Sequence, residues 1–304
     1  MTVLLAALLL FPGSPADSAR ALISIRSVPV RALLFAEQAA RLEGSAVLEL
    51  AWLLELAGRF TDASRVYSLA SANADRNSST WLTDRLRGVG VLDTTLVLRA
   101  TLMNTGAETA RNVVLMIPRP FSHMPYQHLS ILESDFGGDG LVLTCLVDSL
   151  RPGERVEKTM RMRVFQRPHT FRPIDGILEE SILRELVRGA REATGERSDP
   201  GPCLEMSMEL VALASEMGIS MHVAGGVVHR GDSLVFHAWA VLDTIIPGLP
   251  IDPLLMKTDS MMAVGHCPSD MIPLWNLDYT DGCELSALYS GRNSSLKMDM
   301  RAHF

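Results

Sequence analysis

Gly201-Pro202-Cys203-Leu204-Glu205-Met206-Ser207 opens an apolar run that continues to Met217 and is followed by Gly218-Ile219. Ser198-Asp199-Pro200-Gly201 supplies loop and helix-capping residues in front of it, and Gly218 is placed to end a helix. Leu204, Met208, Val211, Leu213, Ala214 and Met217 make the segment apolar nearly all round, which predicts a central, buried helix starting at the cysteine. Unpaired N–H groups and the helix dipole at that end favour a thiolate over a thiol.

Downstream, the apolar period shortens to two. Ser220–Val228, Ser233–Leu242 and Pro250–Leu255 read as strands of a sheet covering the helix. Phe236-His237-Ala238-Trp239 lies inside the second strand, and Pro250-Ile251-Asp252-Pro253 lies at the start or edge of the third. A thiolate nucleophile needs a base and a group that orients the base. Cys203, His237 and Asp252 meet that need if the two strands are neighbours over the helix. The spacings of 34 and then 15 residues leave room for the helix and a strand, then for one hairpin connection.

Upstream, Thr94–Leu102, Ala110–Ile117, Leu141–Val147 and Arg155–Phe165 read as short strands. Asn104-Thr105-Gly106, Pro118, Pro120 and Arg151-Pro152-Gly153-Glu154 punctuate them. This predicts a small β-sandwich of roughly 85 residues, with Cys145 a buried structural thiol. Ile174–Ala193 looks helical, with Leu178, Ile182, Leu186 and Ala190 on one stripe. Residues 29–75 are rich in Ala, Leu and Glu at helical spacing, with Leu33, Ala36 and Ala40 on one face and Val47, Leu50, Leu53, Leu54 and Ala57 on another. Gly58, Phe60, Ala63, Tyr67 and Ala70 resemble the latter part of one tetratricopeptide repeat. They predict a helical hairpin packed on the next domain, with peptide docking as the alternative. Helical character is expected to end in the polar stretch Asn73–Thr80. The last fifty or so residues show no clear period.

The order Gly201-x-Cys203, Met217-Gly218-Ile219, Gly225, His237-Ala238-Trp239 and Asp252-Pro253 resembles the transglutaminase-like superfamily, over roughly residues 178–256. Asn104-Thr-Gly106, Asn112-Val-Val-Leu115, Pro118-Arg-Pro120 and Tyr126-Gln127 resemble the β-domain that often precedes its core. The resemblance implies an α+β fold: a papain-like core of a buried helix against an antiparallel sheet, after a small β-sandwich and an N-terminal helical hairpin. The corresponding division is 1–19 as a signal peptide, 20–77 helical, 78–170 β-sandwich and 171–304 transglutaminase-like. It implies Cys203 as nucleophile, His237 as base then acid, and Asp252 as its orienting partner. A thioester would then be released to water or to an amine. Two features depart from the family: Ser220-Met221-His222 stands where an arginine is common, and Gly248-Leu249-Pro250 where a tryptophan usually precedes the aspartate. Both bear on the groove and substrate more than on the triad.

With 304 residues, 47% of them hydrophobic and 21% charged, the chain suggests two or three ordinary globular domains. A net charge of −7 gives no reason to expect nucleic acid. Met1–Phe11 is too short to span a bilayer but has the length of a signal-peptide core, which would make the protein periplasmic or secreted. A buried N-terminal helix or a misplaced start codon is the other reading, and would leave it cytoplasmic. No other segment is apolar and long enough to be an integral span. Cys145, Cys203, Cys267 and Cys283 are too few for a disulfide scaffold, though Cys267 and Cys283 could pair in an exported chain. His266-Cys267 lacks a second ligand pair, and no acids have EF-hand spacing, so neither metal nor other cofactor is expected. His222 and His229 read as structural or surface residues. Two functions compete: a cysteine enzyme acting on protein or peptide amides, and a peptide-binding scaffold with a residual triad.

Overall fold

In the computed structural model, the described residues are 30–42, 46–72, 76–123, 125–170, 203–243, 248–255, 262–277, 286–290 and 294–304. Six helical positions also belong to them: Ile182, Glu185, Leu186, Arg188, Gly189 and Glu192. The architecture is α+β, with antiparallel sheets and few helices. The segment 1–19 and Cys283 lie outside the described residues, as does most of the helix expected over 174–193.

The alternating stretch after residue 91 forms the sandwich. Its strands are β1 (Leu92–Asn104), β2 (Ala110–Pro118), β3 (Gln127–Ser134), β4 (Val142–Leu150) and β5 (Arg155–Gln166). Even-numbered Leu96, Leu98, Ala100 and Leu102 of β1, with Met160, Met162 and Val164 of the neighbouring β5, share one core with Val113, Leu115 and Ile117 of β2 in the other sheet. Cys145 is buried there as a free thiol. Asn104 ends β1 by giving its amide N–H to the carbonyls of Glu108 and Leu150 while its oxygen accepts from Gly106 N–H. β3 has no counterpart in the sequence reading. Its outward side is largely exposed, so the apolar alternation that marks the other strands is weak there.

The C-terminal stretch adds two strands to the sandwich sheets. β12 (Ser286–Ser290) pairs with β2, and β13 (Leu296–His303) pairs with β1. The sandwich sheets are therefore β13-β1-β5-β3 and β12-β2-β4. Leu296, Met300 and Ala302 pack on the sandwich core, while the charged residues between them face solvent. That mixture of Met, Lys, Asp and Arg hides the period of two.

Between these parts lie α5 (Cys203–Glu216) and the strands β7 (Met221–Arg230), β8 (Ser233–Leu242), β9 (Leu249–Ile251) and β11 (Met271–Asn276), after a two-residue β6 (His169–Thr170) that pairs with β10 (His266–Cys267). The sheet order is β11-β7-β8-β9, all antiparallel. α5 lies on one face, where Leu210 and Ala214 meet Met221, Ala240, Leu242 and Ile251. Leu186 joins the same cluster. The expected all-round burial of this helix is corrected. Met206, Ser207, Leu210 and Ala214 are buried, but Met208 is 49% exposed, so the helix is amphipathic and covers the sheet from one side. It ends as anticipated. Gly218 has φ +72°, and the Ile219 N–H reaches back to the Ala214 carbonyl. The strand expected over 250–255 is shorter, because Asp252 and Pro253 turn the chain just past β9.

Among the described residues, the N-terminal part has four helices: α1 (Val30–Leu42), α2 (Val47–Leu56), α3 (Phe60–Ser71) and α4 (Arg76–Val89). A linker was expected over Asn73–Thr80; residues 73–75 lie outside the described residues, and from Arg76 onward α4 takes its place. Its polar start has poor helix propensity, yet Leu82, Leu86 and Val89 form a stripe that packs on the helical core. Ala63 and Tyr67 are fully buried in the helical core. Glu55 ties this layer to the rest of the chain. Its carboxylate accepts from Tyr67 Oη (2.8 Å), lies 2.9 Å from His266 Nε2 in β10 and 3.6 Å from Arg85. Among the described residues, no helix is long and apolar enough to cross a membrane.

Candidate active site

β8 alternates its side chains between two faces. Ala238, Ala240 and Leu242 face α5, where small residues let the helix approach. His237, Trp239 and Val241 face the other way. Ala240 and Leu242 pair with Ile251 and Leu249, but β9 ends there. Ala238 lies on the same edge of β8, and its N–H donates to the Cys203 sulfur at 3.3 Å. The first residue of α5 is thereby fixed beside the middle of β8.

His237 is buried, and its Nε2 lies 2.8 Å from Asp252 Oδ2. Its ring also hydrogen-bonds the Cys203 thiol. With Nε2 committed to Asp252, Nδ1 is the nitrogen left for the sulfur. The other Asp252 oxygen accepts from the N–H groups of Leu254 (2.9 Å) and Leu255 (3.1 Å), so the carboxylate is anchored by the turn that follows it. The three residues singled out in the sequence thus come together from a helix start, a strand centre and a strand end.

The electrostatics follow from this geometry. Burial opposes the charged form of His237, but the Asp252 carboxylate and the Cys203 sulfur outweigh it and raise its pKa to about 9. Burial alone would raise the Cys203 thiol. The His237 hydrogen bond and positive charge, with the N–H groups of Ala238 and Leu204, bring it below its ordinary value instead. The pair can therefore hold a thiolate beside an imidazolium. The Cys203 N–H, in the first turn of α5, has no partner within the helix and faces the end where an oxyanion would be stabilised.

The opposite face of the sheet carries groups that the sequence did not announce. A cavity of about 350 Å³ lies there, walled by Phe121, His123, Tyr126, Trp239, Val241 and Pro250. The first three come from the β2–β3 connection, which is pinned to the core sheet by Phe121 N–H on the Leu274 carbonyl (3.0 Å) and by the Gln127 amide on the Pro273 carbonyl (2.7 Å). In the sequence, Tyr126-Gln127 marked only the resemblance to a preceding β-domain, and nothing there pointed to this contact. Trp239 also meets His237, ring to ring, at 6.0 Å. Tyr126 stacks on His169 at 5.2 Å and hydrogen-bonds Cys267. Cys267 is a free buried thiol whose pKa burial pushes up to about 12, and Cys283, the partner suggested for it, lies outside the described residues.

His222 lies at the rim of the cavity, 2.6 Å from Asp243, and is not part of the triad. His229 packs against Phe304 far along β7, in keeping with a structural residue. Among the described residues, no group of three or more His, Cys, Asp or Glu side chains is arranged to hold a metal ion.

No family model matches the chain, and no curated protein matches it. Among solved structures, one described as a "Putative Cysteine Protease from Cytophaga hutchinsonii" is similar, with a TM-score of 0.36 and 11% identity, over 70% of this chain and 92% of that one.

Proposed function

We propose that this protein is a cysteine-dependent enzyme of the transglutaminase-like type, which cleaves amide bonds of proteins or peptides through a thioester. The observation that carries the reading is the continuous line Cys203–His237–Asp252, in which one imidazole is held by the carboxylate at 2.8 Å and hydrogen-bonded to the thiol on its other side. A core histidine merely satisfied by a carboxylate would have no reason to meet a sulfur at a helix start.

The Cys203 thiolate attacks the carbonyl carbon, and the oxyanion forms beside the Cys203 N–H. The His237 imidazolium gives its proton to the amide nitrogen as the C–N bond breaks, so the amine leaves neutral and the acyl group remains as a thioester. Neutral His237 then takes a proton from water as that water attacks the thioester. The carboxylic acid departs and the thiolate–imidazolium pair is restored. Asp252 keeps Nε2 protonated and the ring aligned throughout.

The test is a peptide-amide library assayed for new amine and carboxylate ends, with Cys203→Ala as control. Release that requires Cys203 supports the reading. Release that survives Cys203→Ala overturns it. Incorporation of an added amine in place of hydrolysis would reassign the acceptor and leave the thioester intact.

A further inference from the structure

The cavity on the face of the sheet away from α5 is not needed to assemble the triad, yet it adjoins it twice. On β8, His237 is followed two residues later on the same face by Trp239, which walls the cavity. On β9, Pro250 walls the cavity two residues before Asp252. At about 3.3 Å of strand rise per residue, the wall begins roughly 7 Å from the imidazole. That is the reach of one or two extended peptide residues.

The wall chemistry is selective. Phe121, Tyr126, Trp239, Val241 and Pro250 present flat or apolar surfaces. The volume, about 350 Å³, is at the small end for ligand pockets and suits a single side chain. Among the described wall residues, none supplies a free charge. Burial, and then the neighbouring His222, bring the His123 pKa to about 4, so that ring is neutral. His222 is occupied by Asp243 at 2.6 Å. Tyr126 and Cys267 stay protonated because burial raises both. One polar atom remains without a partner: His123 Nε2, buried while its ring lies 4.5 Å from Phe121. A neutral imidazole nitrogen is a donor or an acceptor according to tautomer, and a hydroxyl satisfies either. A charged side chain would be desolvated here with no counter-ion.

We infer that this cavity is a specificity pocket for an uncharged aromatic side chain, tyrosine above phenylalanine, with the tyrosine hydroxyl on His123 Nε2. Its connection to catalysis rests on the proposed function, but the binding itself does not.

The experiment therefore measures binding without turnover. Full-length protein carrying Cys203→Ala is titrated with N-acetyl-tyrosinamide, N-acetyl-phenylalaninamide, N-acetyl-lysinamide and the γ-carboxylate-bearing N-acetyl-glutamic α-amide, by saturation-transfer NMR and calorimetry. The expected order is tyrosine, then phenylalanine about tenfold weaker, the loss of one buried hydrogen bond. The lysine and glutamate amides should fail to compete. His123→Phe keeps an aromatic wall and should erase the tyrosine-over-phenylalanine ratio. Val241→Met, which fills the cavity mildly, should weaken both aromatic amides together. Absence of aromatic binding to the folded protein, equal binding of the charged amides, or a tyrosine preference untouched by His123→Phe each overturns the proposal. Binding in a protein that hydrolyses nothing would sink the enzyme reading alone. Hydrolysis with no side-chain preference would sink the pocket alone.

Discussion

His237 and Asp252 are joined by a 2.8 Å hydrogen bond through Nε2, and the second Asp252 oxygen is held by the Leu254 and Leu255 N–H groups. The carboxylate thus does two things, orienting the imidazole and capping the turn after β9. The two are separable. Asp252→Asn keeps an oxygen for the turn but no longer stabilises a charged ring, and it permits the wrong tautomer. On the proposed mechanism it should lower kcat/KM by about a thousandfold with little change in melting temperature. Asp252→Ala should lose the turn as well, costing an additional ~1 kcal/mol in urea unfolding. Equal activity losses together with equal stability losses would contradict this division.

The raised His237 and lowered Cys203 pKa values fix the sign of the pH dependence. The thiolate–imidazolium pair exists above the Cys203 value and below that of His237, so hydrolysis should fall as pH rises through about 9. Iodoacetamide should modify Cys203 at neutral pH faster than Cys145 or Cys267, which are buried. Removing Asp252 leaves burial to dominate His237, so the alkaline limb should move to lower pH. Peptide mapping after timed alkylation, at a series of pH values, reads both effects. A Cys203 rate that follows an ordinary thiol would remove the basis for the ion pair.

The candidate site was legible in the sequence because each of its three residues sits in a strongly patterned context. Cys203 opens an apolar run bounded by Gly218, while His237 and Asp252 lie in or beside short β stretches. What could not be read was anything that depends on a partner far along the chain. α4 begins with Arg, Asn, Ser and Thr and owes its helicity to packing through Leu82 and Val89. β13 alternates charges with methionines and becomes a strand by pairing with β1. Met208 looked like core because sequence cannot say that its side of α5 is left exposed. The cavity is harder still, since its walls come from residues 121–126, from β7–β9 and from the segment after residue 266. No sequence pattern marked their meeting.

Glu55 gives a prediction about how the helical layer is attached. It is 1% exposed and shares its carboxylate among Tyr67, His266 and Arg85. Burial would raise its pKa, but the His266 hydrogen bond and charge, then Arg85 and Tyr67, bring it below its ordinary 4.5. A folded-state pKa below the unfolded one means that the stability it contributes is full above pH 4.5 and is lost as pH falls through the lower folded value. Glu55→Ala should therefore destabilise by about 3–5 kcal/mol at pH 7, because Arg85 loses its counter-charge and Tyr67 and His266 lose a buried hydrogen-bond partner. The difference from the parent protein should shrink below pH 4.5. Urea titrations at both pH values give the comparison, and a pH-independent difference would mean that packing, not charge, holds the layers together.

Gly225 and Gly226 lie side by side in β7, opposite Ala238 and His237, and they differ in what a side chain would strike. A Cβ on Gly225 would meet the Leu277 side chain at 2.8 Å, and a leucine terminus can shift. A Cβ on Gly226 would run into the Ile272 carbonyl and lie 3.0 Å from the Pro273 Cα, which are backbone atoms of the neighbouring strand. Relief at Gly226 requires β7 and β11 to separate on the face that carries His237. Gly226→Ala should thus cost about 1–3 kcal/mol and also depress kcat, whereas Gly225→Ala should cost less and leave kcat nearly intact. Chemical denaturation and steady-state kinetics on the two variants decide it. Equal penalties, or a larger one at Gly225, would show that β7 and β11 are not locked as closely as the Gly226 contact requires.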